Sequence, residues 1–163
     1  MKFKEKVSGG KNFLRLKSGE SVRGVFIGEP HEFKQHWINK KGVLCKGEGC
    51  ELCKEGPKSK FRFRINLIIN ENGAYVSKIF EQGYTVYDAL RSLNEEWPLE
   101  DHLVKITRNG SGTDTSYAVV PQAQGKLSEE RKKQIQDVKL HDLEGLKASE
   151  PELENDANED IGF

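Results

Sequence analysis

The chain has 163 residues, of which 35% are hydrophobic and 32% are charged. No apolar run approaches the roughly 18 residues of a membrane-spanning helix, so the composition excludes such a helix and predicts one domain with a modest core. The net charge of zero hides a gradient: residues 1–64 carry 16 Lys and Arg against 7 Asp and Glu, whereas residues 127–163 carry 5 against 11. A basic body with an acidic end is typical of polyanion-binding proteins. The first six residues lack an apolar signal core, so we expect a cytoplasmic protein.

Alternation of apolar and polar residues predicts a short strand at 12–17 and a second strand at 21–28 that ends at Glu29-Pro30. The segment 31–58 has little periodicity and is predicted to be an insertion between strands. Residues 60–70 form the strongest predicted strand, with Phe61, Phe63 and Ile65 on one face and Arg62 and Arg64 on the other. An Asn-Gly pair then predicts a hairpin to a partner strand at 74–81.

The second half of the chain predicts a helix at 84–96, strands at 102–108 and 114–121, and a short helix at 127–140 capped by Ser128. This order predicts a mainly β fold: a five-stranded OB barrel with the insertion between its first two strands and one helix between its third and fourth strands. We therefore expect an OB domain at 1–126, a helix and linker at 127–147, and a disordered acidic tail at 148–163.

All three cysteines lie within nine residues, preceded by a histidine in the pattern H-x8-C-x4-C-x2-C. The candidate ligands are His36, Cys45, Cys50 and Cys53. Three thiolates and one imidazole make a complete tetrahedral set for one Zn²⁺, and four protein ligands leave no open position for catalysis. The sequence therefore predicts a structural zinc site.

Several alternatives to this zinc site remain open. His31 competes with His36 as the nitrogen ligand. An iron–sulfur cluster would need a fourth cysteine, and a disulfide would leave one thiol over. No catalytic constellation is visible elsewhere in the chain, so we expect a protein that is not an enzyme.

Single-stranded nucleic acid is bound by cations that follow the phosphates and by flat side chains that stack on bases. The candidates are Arg23, Lys34, Trp37, Lys58, Lys60, Phe61, Arg62, Phe63, Arg64, Tyr75, Lys78 and Phe80. Core packing is the alternative for Phe61 and Phe63, whereas Arg62 and Arg64 are predicted to face solvent. Trp37 has little core to fill in the 31–58 segment, which favours stacking on a base.

The basic OB pattern, the ligand order of one His and three Cys ending in C-x2-C, and the acidic C-terminus together resemble single-stranded DNA-binding proteins of bacteriophages. The zinc-containing helix-destabilising type of the T-even phages is similar. The ending Asn-Glu-Asp-Ile-Gly-Phe is similar to the tip of bacterial single-strand binding proteins, where Pro stands at the position of Gly162.

The resemblance implies a role in DNA replication, recombination and repair, with partner proteins recruited through Glu159, Asp160, Ile161 and Phe163. Two other classes of function remain: a zinc-stabilised adaptor for protein interactions or transcription, and a zinc-containing nuclease.

Overall fold

The computed structural model describes residues 12–38, 41–56 and 58–144, and within these residues the protein has six β-strands and three α-helices. The strands are β1 (Ser21–Ile38), β2 (Lys41–Leu44), β3 (Lys60–Glu71), β4 (Ala74–Gly83), β5 (His102–Asn109) and β6 (Ser116–Lys126). The helices are α1 (Glu51–Glu55), α2 (Tyr84–Glu96) and α3 (Glu129–Gln136), with 3-10 turns at Leu99–Asp101 and Gly112–Asp114. The predicted mainly β fold is confirmed. The predicted tail at 148–163 lies outside the described residues. Within them, no helix combines the length and the apolar character needed to cross a membrane.

Strand β1 is longer than the strand predicted at 21–28, because it continues past Glu29-Pro30 to Ile38. Its pairing with β3 shifts register between Ile27 and His31, where Gly28 adopts a positive φ of 84°. Such a bulge tolerates a proline and lets the strand bend rather than end. The first part of the predicted insertion is therefore sheet, and residues 31–35 pair directly with β3. The short strand predicted at 12–17 is reduced to one parallel bridge, between Phe13 and Ile79.

The strands form one antiparallel sheet in the order β4-β3-β1-β5-β6, and β2 pairs with the far end of β1. Over the described residues no ladder joins β4 to β6, so the closure expected of a barrel is not shown. The two outer strands nevertheless approach each other across the core, where the rings of Phe80 and Tyr117 lie 6.0 Å apart. The sheet is therefore strongly curved around its apolar face.

The main core lies between this apolar face and α2. Its buried side chains are Leu16, Phe26, Phe63, Ile65, Leu67, Ile69, Phe80, Leu90, Leu99, Val104 and Ile106. These residues include the predicted apolar face of the 60–70 strand, whose period-2 alternation directs every second side chain inward.

The opposite face of β3 is also buried, contrary to the prediction that it faces solvent. Arg64 is 1% exposed and Asn66 is 4% exposed. Helix α3 ends at Gln136, earlier than the predicted 140, and the chain then returns across this face. His141 donates its backbone N–H to Asn66 Oδ1 at 2.9 Å and its Nε2–H to the Ser77 carbonyl oxygen at 2.8 Å. Residues 141–143 thus cover part of the outer surface of β3 and β4.

Candidate functional site

The four predicted metal ligands come together where the β1–β2 hairpin meets the segment that leads into α1. His36 lies in β1, Cys45 follows β2, Cys50 precedes α1, and Cys53 lies within α1. Their ligand atoms all lie within 4.8 Å of one another. The predicted set is confirmed as a cluster compatible with a single metal site. His31 is not part of it, because its ring stacks on Phe33 with centroids 5.9 Å apart.

The distances in this cluster match a tetrahedral metal site. His36 Nε2 lies 3.4 Å from Cys53 Sγ and 3.6 Å from Cys50 Sγ, and the sulfurs of Cys45 and Cys53 lie 3.5 Å apart. Zinc bond lengths imply tetrahedron edges of about 3.6 Å between nitrogen and sulfur and about 3.8 Å between two sulfurs. The sulfur separation is also far longer than a disulfide bond. The cluster is therefore compatible with one ion and four ligands.

The local backbone explains how two short turns present the thiols to one point. The Gly47 N–H donates to Cys45 Sγ at 3.4 Å, and the Cys50 N–H donates to the Gly47 carbonyl oxygen at 3.1 Å. Gly47 and Gly49 have φ of 81° and 80°, in the left-handed region that side chains with a Cβ rarely adopt. The two turns therefore depend on these glycines.

The pKa values of the three thiols diverge because backbone hydrogen bonds stabilise two of the thiolates, whereas the neighbouring sulfurs disfavour the third. Hydrogen bonding from the backbone of Lys46 lowers the pKa of Cys50 to about 6, and a hydrogen bond from the backbone of Gly47 lowers the pKa of Cys45. Contact with the Cys45 sulfur, followed by burial, raises the pKa of Cys53 to about 11. A divalent cation would remove this conflict by stabilising all three thiolates at once. The donor set therefore fits a soft divalent metal, held by these four residues.

The hairpin buries its ligands unequally. His36 is fully buried and Cys50 is 2% exposed, whereas Cys53 reaches the surface. Neighbouring strand residues point to opposite faces, so Trp37 points away from the ligand His36 and remains 38% exposed. With four protein ligands gathered, the metal would be enclosed rather than open to a substrate.

Three candidate nucleic-acid residues lie in the interior, which corrects the prediction for them. Phe63 and Phe80 are each 1% exposed and pack edge to face with centroids 6.2 Å apart. Arg64 is paired with Glu81 at 2.6 Å and lies over the Phe33 ring at 4.4 Å. The register of β3 places these side chains inside the two packed faces, where they cannot reach a surface ligand.

The remaining candidates fall into two groups. One group lies near the metal site and consists of Lys34, Trp37, Lys58, Lys60, Phe61 and Arg62. In this group Lys34 pairs with Phe61 across the strands, and Gln35 pairs with Lys60. The other group, Arg23, Tyr75 and Lys78, lies elsewhere on the sheet. Lys78 pairs with Leu67, six residues or about 20 Å along β3 from Phe61. The fold therefore does not join the two groups into one compact surface.

The sequence predicts Tyr84 only as the start of a helix, yet the structure leaves it 58% exposed beside Phe61. Among the described residues it is more exposed than any other large hydrophobic side chain. The sequence contains one indication of this position, because Tyr84 directly follows the strand that pairs with the basic start of β3.

A cavity of about 400 Å³ opens between α2, the Gly28 bulge and the 3-10 turn at Leu99–Asp101. Its floor is apolar, with Phe26 and Leu90, whereas its rim carries the carboxylates of Glu29 and Glu100. Carboxylates repel phosphate, so this cavity is unsuited to nucleic acid.

Comparison of the chain with protein-family models, with curated proteins and with solved structures gave no match. The function must therefore be argued from the geometry.

Proposed function

We propose that this protein binds single-stranded DNA with little sequence specificity and organises it during phage DNA replication, recombination and repair in the cytoplasm of the host cell. The observation that carries the proposal is the basic and aromatic surface around the β1–β2 hairpin of the metal ligands, which we call the metal hairpin. This surface includes both faces of the sheet: Lys34 and Phe61 lie on one face, Trp37, Lys60 and Arg62 lie on the other, and Lys58 lies just before β3. Cations and flat rings side by side are what single strands require.

The charge balance near this surface supports a polyanion as ligand. Residues 31–36 and 58–64 carry five cations, Lys34, Lys58, Lys60, Arg62 and Arg64, against the single acid Glu32. Glu81 adds one more acid, which accepts from both Arg64 and Arg62. The excess positive charge is therefore available to phosphates, chiefly through the three lysines.

We also propose that the metal is one structural Zn²⁺ and that the curved sheet is an OB barrel. The three thiolates and one imidazole favour zinc over harder cations. The strand order β4-β3-β1-β5-β6 is the order of an OB barrel opened between its third and fifth strands, and the contact of Phe80 with Tyr117 bridges that gap. The metal would hold the β1–β2 hairpin as a rigid wall beside the binding surface.

The acidic C-terminus completes the proposal as a tethered competitor and a partner hook. Residues 150–163 carry six acids and no base. A tethered polyanion acts at high effective concentration on a basic surface, and bound DNA would displace it. Ile161 and Phe163 beside Glu159 and Asp160 could then engage replication or repair proteins.

The test is a titration of zinc-loaded protein with single-stranded DNA, followed by tryptophan fluorescence and repeated at several salt concentrations. If about 5 phosphates are neutralised, log K should fall with log salt at a slope of about −3.5. Replacing Arg62 by Ala should flatten that slope by about 0.7, and Trp37→Ala should weaken binding by about 1–3 kcal/mol with little change in slope. Deleting residues 150–163 should tighten binding at low salt.

Three outcomes would contradict the proposal. A preference for duplex over single strands would reject single-strand binding, and no affinity at low salt would favour the adaptor instead. DNA cleavage that requires the metal would favour the nuclease. Duplex DNA of the same length is the matched control.

A further inference from the structure

An aromatic cluster lies where β4 passes into α2, on the side of the sheet that carries Lys34. The ring of Phe61 meets Tyr84 edge to face at 5.6 Å and Tyr87 at 5.0 Å, and the rings of Tyr84 and Tyr87 lie 6.3 Å apart. Tyr87 donates its hydroxyl to Glu32 at 2.9 Å. Two of the three rings are thus fixed by packing or hydrogen bonding, while Tyr84 stands on them with 58% of its surface exposed.

Exposure on this scale is unusual for a ring that could be buried, because covering an aromatic side chain is favourable. The cluster underneath supports Tyr84 in a defined position, so little conformational entropy would be lost when a second flat group stacks on it. The position is therefore organised for a ligand.

The charges around Tyr84 select the ligand class. Lys34 is exposed and lies opposite Phe61 on the neighbouring strand, at the roughly 5 Å spacing of cross-strand pairs. Arg62 lies opposite Gly83 and points to the other face of the sheet, because its side chain alternates with that of Phe61 along β3. The nearby acids Glu32 and Asp88 are engaged by Tyr87 and Arg91. A flat exposed ring beside the cation Lys34 matches a base with its phosphate.

The opposite face of the sheet is covered over the middle of β3 and β4 in the part of the chain that the structure describes. There Arg64 and Asn66 are buried beneath residues 141–143, and Leu143 is 7% exposed. Arg64 Nη1 also donates to the Leu143 carbonyl oxygen at 3.5 Å. A strand of DNA placed on β3 and β4 from that side would have to displace these contacts.

We propose that Tyr84 is a base-stacking residue and that the single strand runs over the Phe61–Tyr84 side of the sheet, beside the metal hairpin. This inference rests on the proposed single-strand binding and adds the side of the sheet and the ring that a base contacts. A base stacks on Tyr84 and the adjacent phosphate contacts Lys34, whereas Trp37 and Arg62, on the other face, contact a different part of the strand.

The test measures the anisotropy of a labelled oligothymidine bound by the zinc-loaded full chain, with wild type, Tyr84→Ala, Tyr84→Phe and Trp97→Ala. Trp97 is the matched control, because it is 37% exposed and packs against His102 at the other end of α2. Tyr84→Ala should weaken binding about 5- to 150-fold, the range for loss of one stacked base. Tyr84→Phe and Trp97→Ala should stay within about twofold of wild type. The salt slope should not change, because no cation is removed.

A second strand with abasic sites separates stacking from a general effect on the fold. On that strand, wild type and Tyr84→Ala should bind alike, because no base is present to stack. An equal loss of affinity on both strands would overturn the proposal. An affinity of Tyr84→Ala within about twofold of wild type on the intact strand would also overturn it, and would assign the exposed ring to a protein partner. If wild type itself fails to bind, the proposed function falls and the stacking role falls with it.

Discussion

The buried ion pair between Arg64 and Glu81, on the face of β3 opposite the main core, is predicted to contribute to the stability of the fold rather than to DNA binding. Glu81 is 5% exposed and accepts from Arg64 at 2.6 Å and from Arg62 at 3.1 Å. Arg64 is 1% exposed, so replacing Glu81 by Leu would leave a buried guanidinium without its carboxylate. Breaking a buried pair on one side costs about 3–5 kcal/mol. At about 2–4 °C per kcal/mol for a chain of this size, Tm should fall by about 6–20 °C.

Removing the arginine of the pair should cost less stability than removing the glutamate. In Arg64→Met, Glu81 keeps its ion pair with Arg62, which is 26% exposed and partly solvated. The double variant Arg64→Met with Glu81→Leu should recover most of the stability, because a well-packed apolar pair often replaces a buried ion pair without loss. The assay is urea unfolding of the zinc-loaded protein, followed by circular dichroism.

Two results would refute this reasoning. One is a cost of less than about 1 kcal/mol for Glu81→Leu, which is the range of exposed pairs. The other is a double variant no more stable than Glu81→Leu alone. Arg62→Ala serves as the control on the exposed side of the network.

The remaining predictions concern the metal, one tyrosine and one turn. Cys50→Ser should lose about one bound zinc per chain by elemental analysis and melt the hairpin, since metal binding supplies about 10–16 kcal/mol in small zinc peptides, whereas His31→Ala should retain the zinc. The hydrogen bond to Glu32 raises the pKa of Tyr87 above its ordinary 10.0, so its contribution to stability is present below about pH 10 and is lost as the pH rises through the raised pKa. An ultraviolet pH titration should show this late-ionising tyrosine in wild type and an earlier ionisation in Glu32→Gln. Gly110→Ala should lower Tm, because Gly110 has φ of 76° and a Cβ there would lie too close to the Asp114 carbonyl oxygen; an unchanged Tm would contradict this.

The ligand set could be predicted because metal-binding cysteines and histidines lie close together in the sequence at short spacings. Cys50 and Cys53 are two residues apart, and the glycines at 47 and 49 allow the turns that join them to Cys45. The choice between His31 and His36 could not be made from spacing alone. It was decided by strand alternation and by the pairing of His36 with Val43 of β2, which turns this imidazole towards the thiols.

The period-2 pattern of residues 60–70 by itself determined a strand, its hairpin partner and one core face, because alternation directs every second side chain inward. It could not determine that the other face is also covered. That depended on residues about 75 positions further along the chain, where His141 and Leu143 close over Asn66 and Arg64. Whether a basic side chain contacts DNA or serves the core is therefore decided by tertiary packing, since local sequence specifies the direction of a side chain and only the fold specifies what lies opposite it.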